Sequence, residues 1–438
     1  MTGASILGSS FDCECGRRHS VGVRQLLLAP DVFERLPGTL ALAGPGRRVA
    51  LFADSRTWAA AGSACHDCLQ AAGWTCAVRI IPDLPHGGPV CDDLTRDALL
   101  SDLPEADVFL AVGAGVVNDL VKWLSSDVRV PYAVFATAAS MNGYTSVNIA
   151  PTLRGVKSLL PGTEPFAVMA HPDVLRDAPA ALTASGLGDV LAKSVSVTDW
   201  RMNNLLFGEY YCPYCARMIR EIEPGYLERP ESIREREASG IKALFDALVY
   251  SGLSMTLAGT SFPASGGEHM ISHALDMTAA VHGVPHDYHG RQVGVGTIFA
   301  AALYGRLLRL EAPVFRAVSE PADAGCWREI TGHVEAEYAA KRARIVAAVE
   351  RLRLPGAWAA LRAELAPMSR DAAQIKDCLR RAGAAHRISD IGCGRERFLQ
   401  AVLHAHQMRA RYTVIDLARA AGILPGAAEE IISEFLME

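Results

Sequence analysis

From Arg48 onward, short and continuously apolar runs alternate with longer amphipathic ones. Arg48–Ala53, Cys76–Ile81, Val108–Val112 and Tyr132–Ala136 are each bounded by polar or turn residues and too short for a core helix, so each is predicted as a strand, the first of them buried. A helical pattern from about Thr57 to Ala72 lies between the first two. Strands and helices alternating at this spacing predict a Rossmann-like α/β domain with a mostly parallel sheet. From about Pro172 the alternation stops and helical patterns run to the end, with Asp173, Asp177 and Pro179 as start signals. The predicted organisation is an α/β domain over residues 1–174 followed by an all-α domain over residues 175–438. The charged run at 229–237 reads as a solvated turn and helix start, and Leu307 to Leu365 as surface helices.

The first candidate chemistry lies at the carboxyl ends of these strands. Val108–Val112 empties into Gly113-Ala114-Gly115-Val116-Val117-Asn118-Asp119, a glycine turn that opens a helix. Missing side chains let backbone N–H groups approach an anion, and a helix N-terminus favours negative charge, so this turn is a candidate phosphate cradle. It lacks the third glycine of the usual dinucleotide fingerprint, and tight strand-to-helix packing would call for the same residues. Asp54, at the end of a strand, can accept hydrogen bonds from a ribose diol and would repel a ribose phosphate, which favours NAD over NADP; it can also cap the next helix. Thr137-Ala138-Ala139-Ser140-Met141-Asn142-Gly143-Tyr144-Thr145-Ser146 comes after another strand, where open α/β sheets bind ligands.

The helical half contains Ser265-Gly-Gly-Glu268-His269-Met-Ile-Ser-His273-Ala-Leu-Asp276. At helical spacing His269 and His273 share one face, with Asp276 a turn further along. His289 downstream and Asp189 upstream complete a set from which two imidazoles and a carboxylate can be assembled. Such a set leaves coordination positions open on a divalent cation, and mixed N/O ligation suits zinc, nickel, iron or manganese.

The chain has 438 residues, 50% apolar and 21% charged, with a formal net charge of −5. This is ordinary for a globular enzyme and offers no general attraction to nucleic acid or an anionic membrane. Val293–Tyr304, read as the longest weakly polar run, is too short to span a bilayer, and the N-terminus lacks a secretory pattern, so a cytoplasmic protein is expected. Eleven cysteines, an odd number, fit reduced thiols. Cys13, Cys15, Cys212 and Cys215 have short local spacings that a structural zinc could use, but Cys-x-Cys is a poor knuckle spacing and ordinary thiols are the plainer reading. Cys65 and Cys68 sit in a helical pattern and read as bland.

Taken in order, these motifs resemble the glycerol-1-phosphate dehydrogenases, bacterial members included, within the dehydroquinate synthase-like and iron-containing alcohol dehydrogenase superfamily. The resemblance runs through Gly113 to Lys122, Thr137 to Ser146, Gly188-Asp189, Asp199-Trp200, Pro263 to Asp276, His289 to Thr297 and Arg411 to Leu417. It implies a dehydroquinate synthase-like architecture, NAD (with NADP as the variant), and one divalent metal, zinc, nickel or iron, held by Asp189, His269 and His289. It further implies that His273 contacts substrate or backs the metal. Asp54, Gly113, Gly115, Val116, Val117, Asn118, Asp119, Thr137, Ala138, Ala139, Ser140 and Ser146 match its NAD-contacting positions. A homo-oligomer, a dimer by default, acting on a small phosphorylated or phosphonate substrate is expected. Three departures bear on specificity. Asn142 stands where the family has a substrate-contacting aspartate, Arg291 replaces a glutamate in an approach lengthened by His282 and His286, and His171 replaces an aspartate. The expected reaction is ketone–alcohol interconversion, with dihydroxyacetone phosphate and sn-glycerol 1-phosphate as the default pair. A synthase that uses NAD transiently on a sugar phosphate is the alternative, and a cofactor-binding relic silenced at Asn142 is a third.

Overall fold

The computed structural model describes residues 6–84, 87–154 and 156–437. The chain forms two compact units, Met1–Gly186 with Pro213–Ser261, and Leu187–Cys212 with Phe262–Glu438.

The first unit opens with an antiparallel hairpin, β1 (Ser10–Asp12) and β2 (Arg18–Ser20). A six-stranded parallel sheet comes next: β3 (Gln25–Leu28), β4 (Arg48–Ala53), β5 (Thr75–Ile80), β6 (Val108–Gly113), β7 (Tyr132–Ala136) and β8 (Ala167–Ala170), in the spatial order β3-β8-β7-β6-β4-β5. Strands β6, β7 and β8 are buried along their whole length, which is why β6 and β7 read as continuous apolar runs. One face packs Leu51, Leu110, Phe135 and Met169 against Leu36, Cys65 and Leu69. On the other, Phe52 meets Phe109 edge to face at 5.4 Å. Cys65 and Cys68 lie on a helix packed on this sheet, as their pattern suggests.

Four strands match the predicted positions to within a residue. The two on the β8 side, β3 and β8, were not legible as strands because each is only four residues long. The helix expected from Thr57 to Ala72 runs from Ser55 to Ala71, but widens into a π turn at Trp58–Gly62. A Cβ on Gly62 would lie 2.8 Å from the Trp58 ring, so the wide turn needs glycine there. Among the described residues no strand of this sheet comes after β8.

The helices that matter for the site are α1 (Gly115–Val128), α2 (Ala180–Leu191), α3 (Lys193–Phe207), α4 (Pro213–Ile222), α5 (Ala238–Ala258), α6 (Gly267–His282), α7 (His289–Leu308) and α8 (Val414–Ala420). At 21 residues, α5 is longer than the run read from sequence; it is long and apolar enough to cross a membrane, yet 72% of its apolar window is buried in the protein, as in a core helix. His171 caps the helix Pro172–Asp177, its Nδ1 accepting from the Asp173 N–H at 3.1 Å.

In the second unit α6 and α7 pack side by side. Gly283 ends α6 in the left-handed conformation, its N–H returning to Ala279 and Ala280 carbonyls. A Cβ on Gly296 of α7 would lie 2.8 Å from the Glu268 carbonyl, and one on Gly188 of α2 would lie 2.0 Å from the Gly290 carbonyl. Both glycines are needed for the backbones to approach this closely.

Candidate active site

The glycine turn separates into two functions. A Cβ on Gly113 would collide with Val117 Cβ at 2.6 Å, so Gly113 serves the packing of β6 on α1. A Cβ on Gly115 would meet only Met141 Cγ, at 3.6 Å, an ordinary contact. Packing therefore does not require Gly115, whereas access to backbone at the helix start does. No side chain caps α1. The Asn118 side-chain oxygen is buried with no hydrogen-bond partner in the described structure, a polar atom turned to no protein donor. Gly115 and the uncapped helix start fit an anionic group at the first turn of α1, whereas the Asn118 oxygen, an acceptor, calls for a donor.

Asp54 caps the helix after β4, its Oδ1 accepting from the N–H of Arg56 at 2.8 Å and of Thr57 at 2.9 Å. The Thr137–Ser146 loop is anchored on both sides. Lys122, wholly buried on α1, donates to the Gly143 carbonyl at 2.9 Å, the Asn148 carbonyl at 2.8 Å and Asp119 Oδ1 at 3.3 Å. Burial pulls this ammonium below its ordinary pKa, against the pull of Asp119. Asp119 Oδ2 in turn accepts from the Ala150 N–H at 3.1 Å. Lys122 and Asp119 thus shape the loop. From α5, the Val249 carbonyl accepts from Thr145 Oγ1 at 2.6 Å, and Thr256 Oγ1 donates to the Thr145 carbonyl at 2.9 Å. Thr137 donates its N–H to the Gly113 carbonyl, Tyr144 donates its hydroxyl to the Ala138 carbonyl at 2.6 Å, and Ser146 Oγ accepts from the Asn148 N–H. Ala138, Ala139 and Ser140 are buried and Asn142 is half-exposed.

In the second unit, ligand atoms of Asp189 on α2, His269 on α6 and His289 at the start of α7 all lie within 4.8 Å of one another. His269 Nε2 is 3.6 Å from Asp189 Oδ1. The ring centroids of His269 and His273 are each within 5.5 Å of that of His289, and are 6.2 Å from each other. Close approach at Gly188 is what brings Asp189 to His289. Glu268 Oε1 sits 2.7 Å from His269 Nδ1 and accepts from the Gly266 N–H at 2.7 Å. Glu268 thus holds Nδ1 of the ring and leaves Nε2 facing Asp189. Ser272 Oγ pairs with His289 Nδ1 at 3.2 Å, a hydroxyl that can either donate or accept. Burial alone would raise the Asp189 carboxyl, but Lys193, 3.1 Å from Oδ1, and His269 outweigh it and hold Asp189 well below the usual carboxylate range. Two imidazoles and one carboxylate that converge, Asp189 and His269 buried and His289 half-buried, fit a divalent cation with an open coordination position.

Arg291, His282 and His286 are engaged elsewhere. Arg291 donates to Asp287 Oδ2 at 2.7 Å and to the Asp390 carbonyl, His282 pairs with the Cys326 carbonyl at 3.0 Å, and His286 with Asp276 at 3.3 Å. Asp276 also accepts from Gln292 at 2.5 Å, joining α6 to α7.

Three residues behind the cluster had no assigned role in the sequence. Lys193 stands one helical turn from Asp189, a spacing visible in the chain, and Glu268 adjoins His269. Asp199 belongs to the Asp199-Trp200 motif of the resemblance, which gave it no role. Its Oδ1 accepts from the Tyr304 hydroxyl at 2.5 Å and the Val414 N–H at 2.9 Å, and its Oδ2 from the Gly267 N–H at 2.8 Å. Arg411 stacks on Phe262 and donates to the Ser265 carbonyl, and Asn203 Nδ2 donates to the Tyr412 carbonyl at 2.8 Å. The late Arg411–Leu417 motif is therefore scaffolding for the segment that starts α6.

Known proteins carry the same pattern. The family model described as iron-containing alcohol dehydrogenase matches residues 27–179. A glycerol-1-phosphate dehydrogenase [NAD(P)+] from Halalkalibacterium halodurans is 34% identical over 71% of this chain and 78% of its own. The Geobacillus stearothermophilus protein of that name is 32% identical over 69% and 75%. That of Bacillus licheniformis is 29% identical over 94% and 93%. Among solved structures, glycerol dehydrogenase from Schizosaccharomyces pombe aligns with a TM-score of 0.61 at 14% identity, covering 94% of this chain and 93% of the other. Maleylacetate reductase from Agrobacterium tumefaciens aligns at 0.60 and 16%, covering 94% and 95%. At such identities the structures establish the dehydroquinate synthase-like fold, while the sequence relatives establish the family. The chain is an enzyme of the glycerol-1-phosphate dehydrogenase family, within the iron-containing alcohol dehydrogenases.

Proposed function

We propose that this chain is a metal-dependent NAD(H) oxidoreductase that interconverts a small phosphorylated or phosphonate ketone and its secondary alcohol, with dihydroxyacetone phosphate and sn-glycerol 1-phosphate as the first pair to test. The observation that carries this reading is the convergence of buried Asp189 and His269 with half-buried His289 to within 4.8 Å in a chain of this family. Asp189, His269 and His289 would hold a zinc, nickel or iron ion, which supplies Lewis-acid polarisation of a substrate oxygen when bound. NAD, with NADP as the variant, supplies the hydride acceptor or donor.

The chain's own residues do the rest. Backbone N–H groups at the first turn of α1, opened by Gly115, receive the cofactor's pyrophosphate, and Asp54 accepts from its ribose hydroxyls. Val116, Val117, Asn118, Thr137 to Ser140 and Ser146 line the same cofactor place, Gly113, Asp119 and Lys122 giving it shape. His273 shares a helix face with His269 and carries the substrate's hydroxyl proton away during oxidation, returning it during reduction. Asn142, which both donates and accepts where a carboxylate only accepts, orients the substrate and sets its preference. Buried side chains at Asp189, His269 and His273 exclude bulk water from the reacting oxygen. A homodimer in the cytoplasm is the proposed setting.

The test is metal-loaded protein assayed with NADH against dihydroxyacetone phosphate and a panel of phosphonate and sugar-phosphate ketones. Stoichiometric NADH oxidation is expected on at least one phosphorylated ketone, with the profile across the panel changed by Asn142→Asp. Release of inorganic phosphate without net NADH change would instead identify a synthase. Cofactor and metal binding with no turnover on any substrate would identify a relic.

A further inference from the structure

The N-terminal hairpin holds a second cluster of metal-binding side chains, unrelated in donor type to the first. The turn between β1 and β2 closes through the Cys13 N–H to the Arg17 carbonyl at 3.0 Å and the Gly16 N–H to the Cys13 carbonyl at 2.9 Å, with Gly16 at a φ of 80° that favours glycine. This fold-back places Cys15 Sγ 3.4 Å from His19 Nε2. Ligand atoms of Cys13, Cys15, His19 and Cys212 all lie within 4.8 Å of one another. His19 and Cys212 are buried and the two turn cysteines are half-buried, and all eleven cysteines are present as thiols. Cys212 is bonded directly to Pro213, the first residue of α4, so α4 sets its position at the point where the chain passes into the first unit. Contacts within that unit hold hairpin and helix together: Phe11 meets Tyr214 edge to face at 5.4 Å, and Arg217 reaches Glu14 at 2.7 Å.

We propose that Cys13, Cys15, His19 and Cys212 form a closed structural zinc site that staples the start of the chain to α4. Three sulfurs and one imidazole nitrogen are a complete tetrahedral set for zinc, leaving no position for substrate, unlike the carboxylate-containing cluster of the second unit. Zinc–sulfur bonds of about 2.3 Å set sulfur–sulfur edges of roughly 3.8 Å, so donors already within 4.8 Å need only a small contraction. A physical need for the staple is also plain. Strands of three residues in an isolated two-stranded hairpin are marginal in water, and a metal bound only in the folded state adds its binding free energy to folding. The fourth donor is His19, paired with Phe11 across the hairpin, rather than the Cys215 that spacing alone brings to mind.

The test is zinc analysis of the full-length wild-type protein by elemental stoichiometry and zinc-edge X-ray absorption. A chelator-resistant equivalent with a sulfur-dominated shell near ~2.3 Å is expected. That equivalent persists in His269→Ala, is lost in Cys13→Ser and His19→Ala, and is retained in His19→Cys. Because the wild-type absorption spectrum is decisive alone, a variant that fails to fold does not leave the matter open. A zinc shell without sulfur, unchanged metal content in soluble Cys13→Ser, or a Cys13–Cys15 disulfide in protein purified under reducing conditions would each overturn the site. None of these outcomes depends on the oxidoreductase reading, which is tested at His269 and His289.

Discussion

Glu268 has no donor atom in the ligand cluster, yet its carboxylate decides which nitrogen of His269 faces Asp189. Loss of such a partner typically costs ~10–100-fold in metal affinity. Glu268→Gln should therefore weaken metal binding by roughly that factor, read by competition with a chromogenic chelator, while far-ultraviolet circular dichroism stays unchanged. Equal affinity in the two proteins would reduce Glu268 to a helix-start residue. Asp199, behind it, carries a different consequence. Burial, and then the charge of Glu268, push its carboxyl from 3.8 up to about 8. Between those values the folded protein keeps a proton that the unfolded chain has released, so this group makes stability fall as pH rises from about 4 to about 8. Glu268 Oε2 is buried without a donor, and a Cβ on Gly266 would lie 2.6 Å from Asp199 Oδ2 and 2.8 Å from Glu268 Oε2, which puts the protonated Asp199 beside an acceptor. Asparagine mimics that neutral form. Asp199→Asn should flatten the fall in melting temperature across this window, and an unchanged slope would assign it to other groups.

At the scale of elements, the cluster exists because α2, α6 and α7 approach more closely than ordinary side chains allow. Gly188→Ala would put a methyl group 2.0 Å from the Gly290 carbonyl, forcing α2 away from the first turn of α7 and separating Asp189 from His289. The expected outcome is a drop in melting temperature together with loss of the bound metal; a variant that is destabilised but binds metal normally would show that the spacing is not critical. The same elements show what a sequence can and cannot carry. The buried strands β4, β6 and β7 were legible because both faces are covered, leaving uninterrupted apolar runs. Four-residue strands β3 and β8 leave too little pattern to read, and the π turn at Trp58–Gly62 leaves none. The glycine turn was visible, but only the structure separates Gly113, required by Val117, from Gly115, which packing does not require.

For the whole molecule, the parallel sheet with helices after it, and membership of the family, were accessible from the order of the motifs. Asp189 and His289 stand 100 positions apart, and residue types suggested a set of two imidazoles and a carboxylate before the resemblance named the three; their approach to within 4.8 Å is a tertiary fact. Lys122, Lys193 and Asp199 act through partners far away or on other elements, which is why residue type alone gave them no role. The cysteine spacings read more plainly as ordinary thiols than as zinc ligands, and the histidine that completes the set emerges only when the hairpin folds back on itself. The most direct measurement for the catalytic reading is anomalous diffraction at the metal edge from crystals grown with NAD and the loaded ion. One peak within bonding distance of Asp189, His269 and His289 is the expected result. A cation bound elsewhere, with these three side chains apart from it, would contradict the assignment at its root.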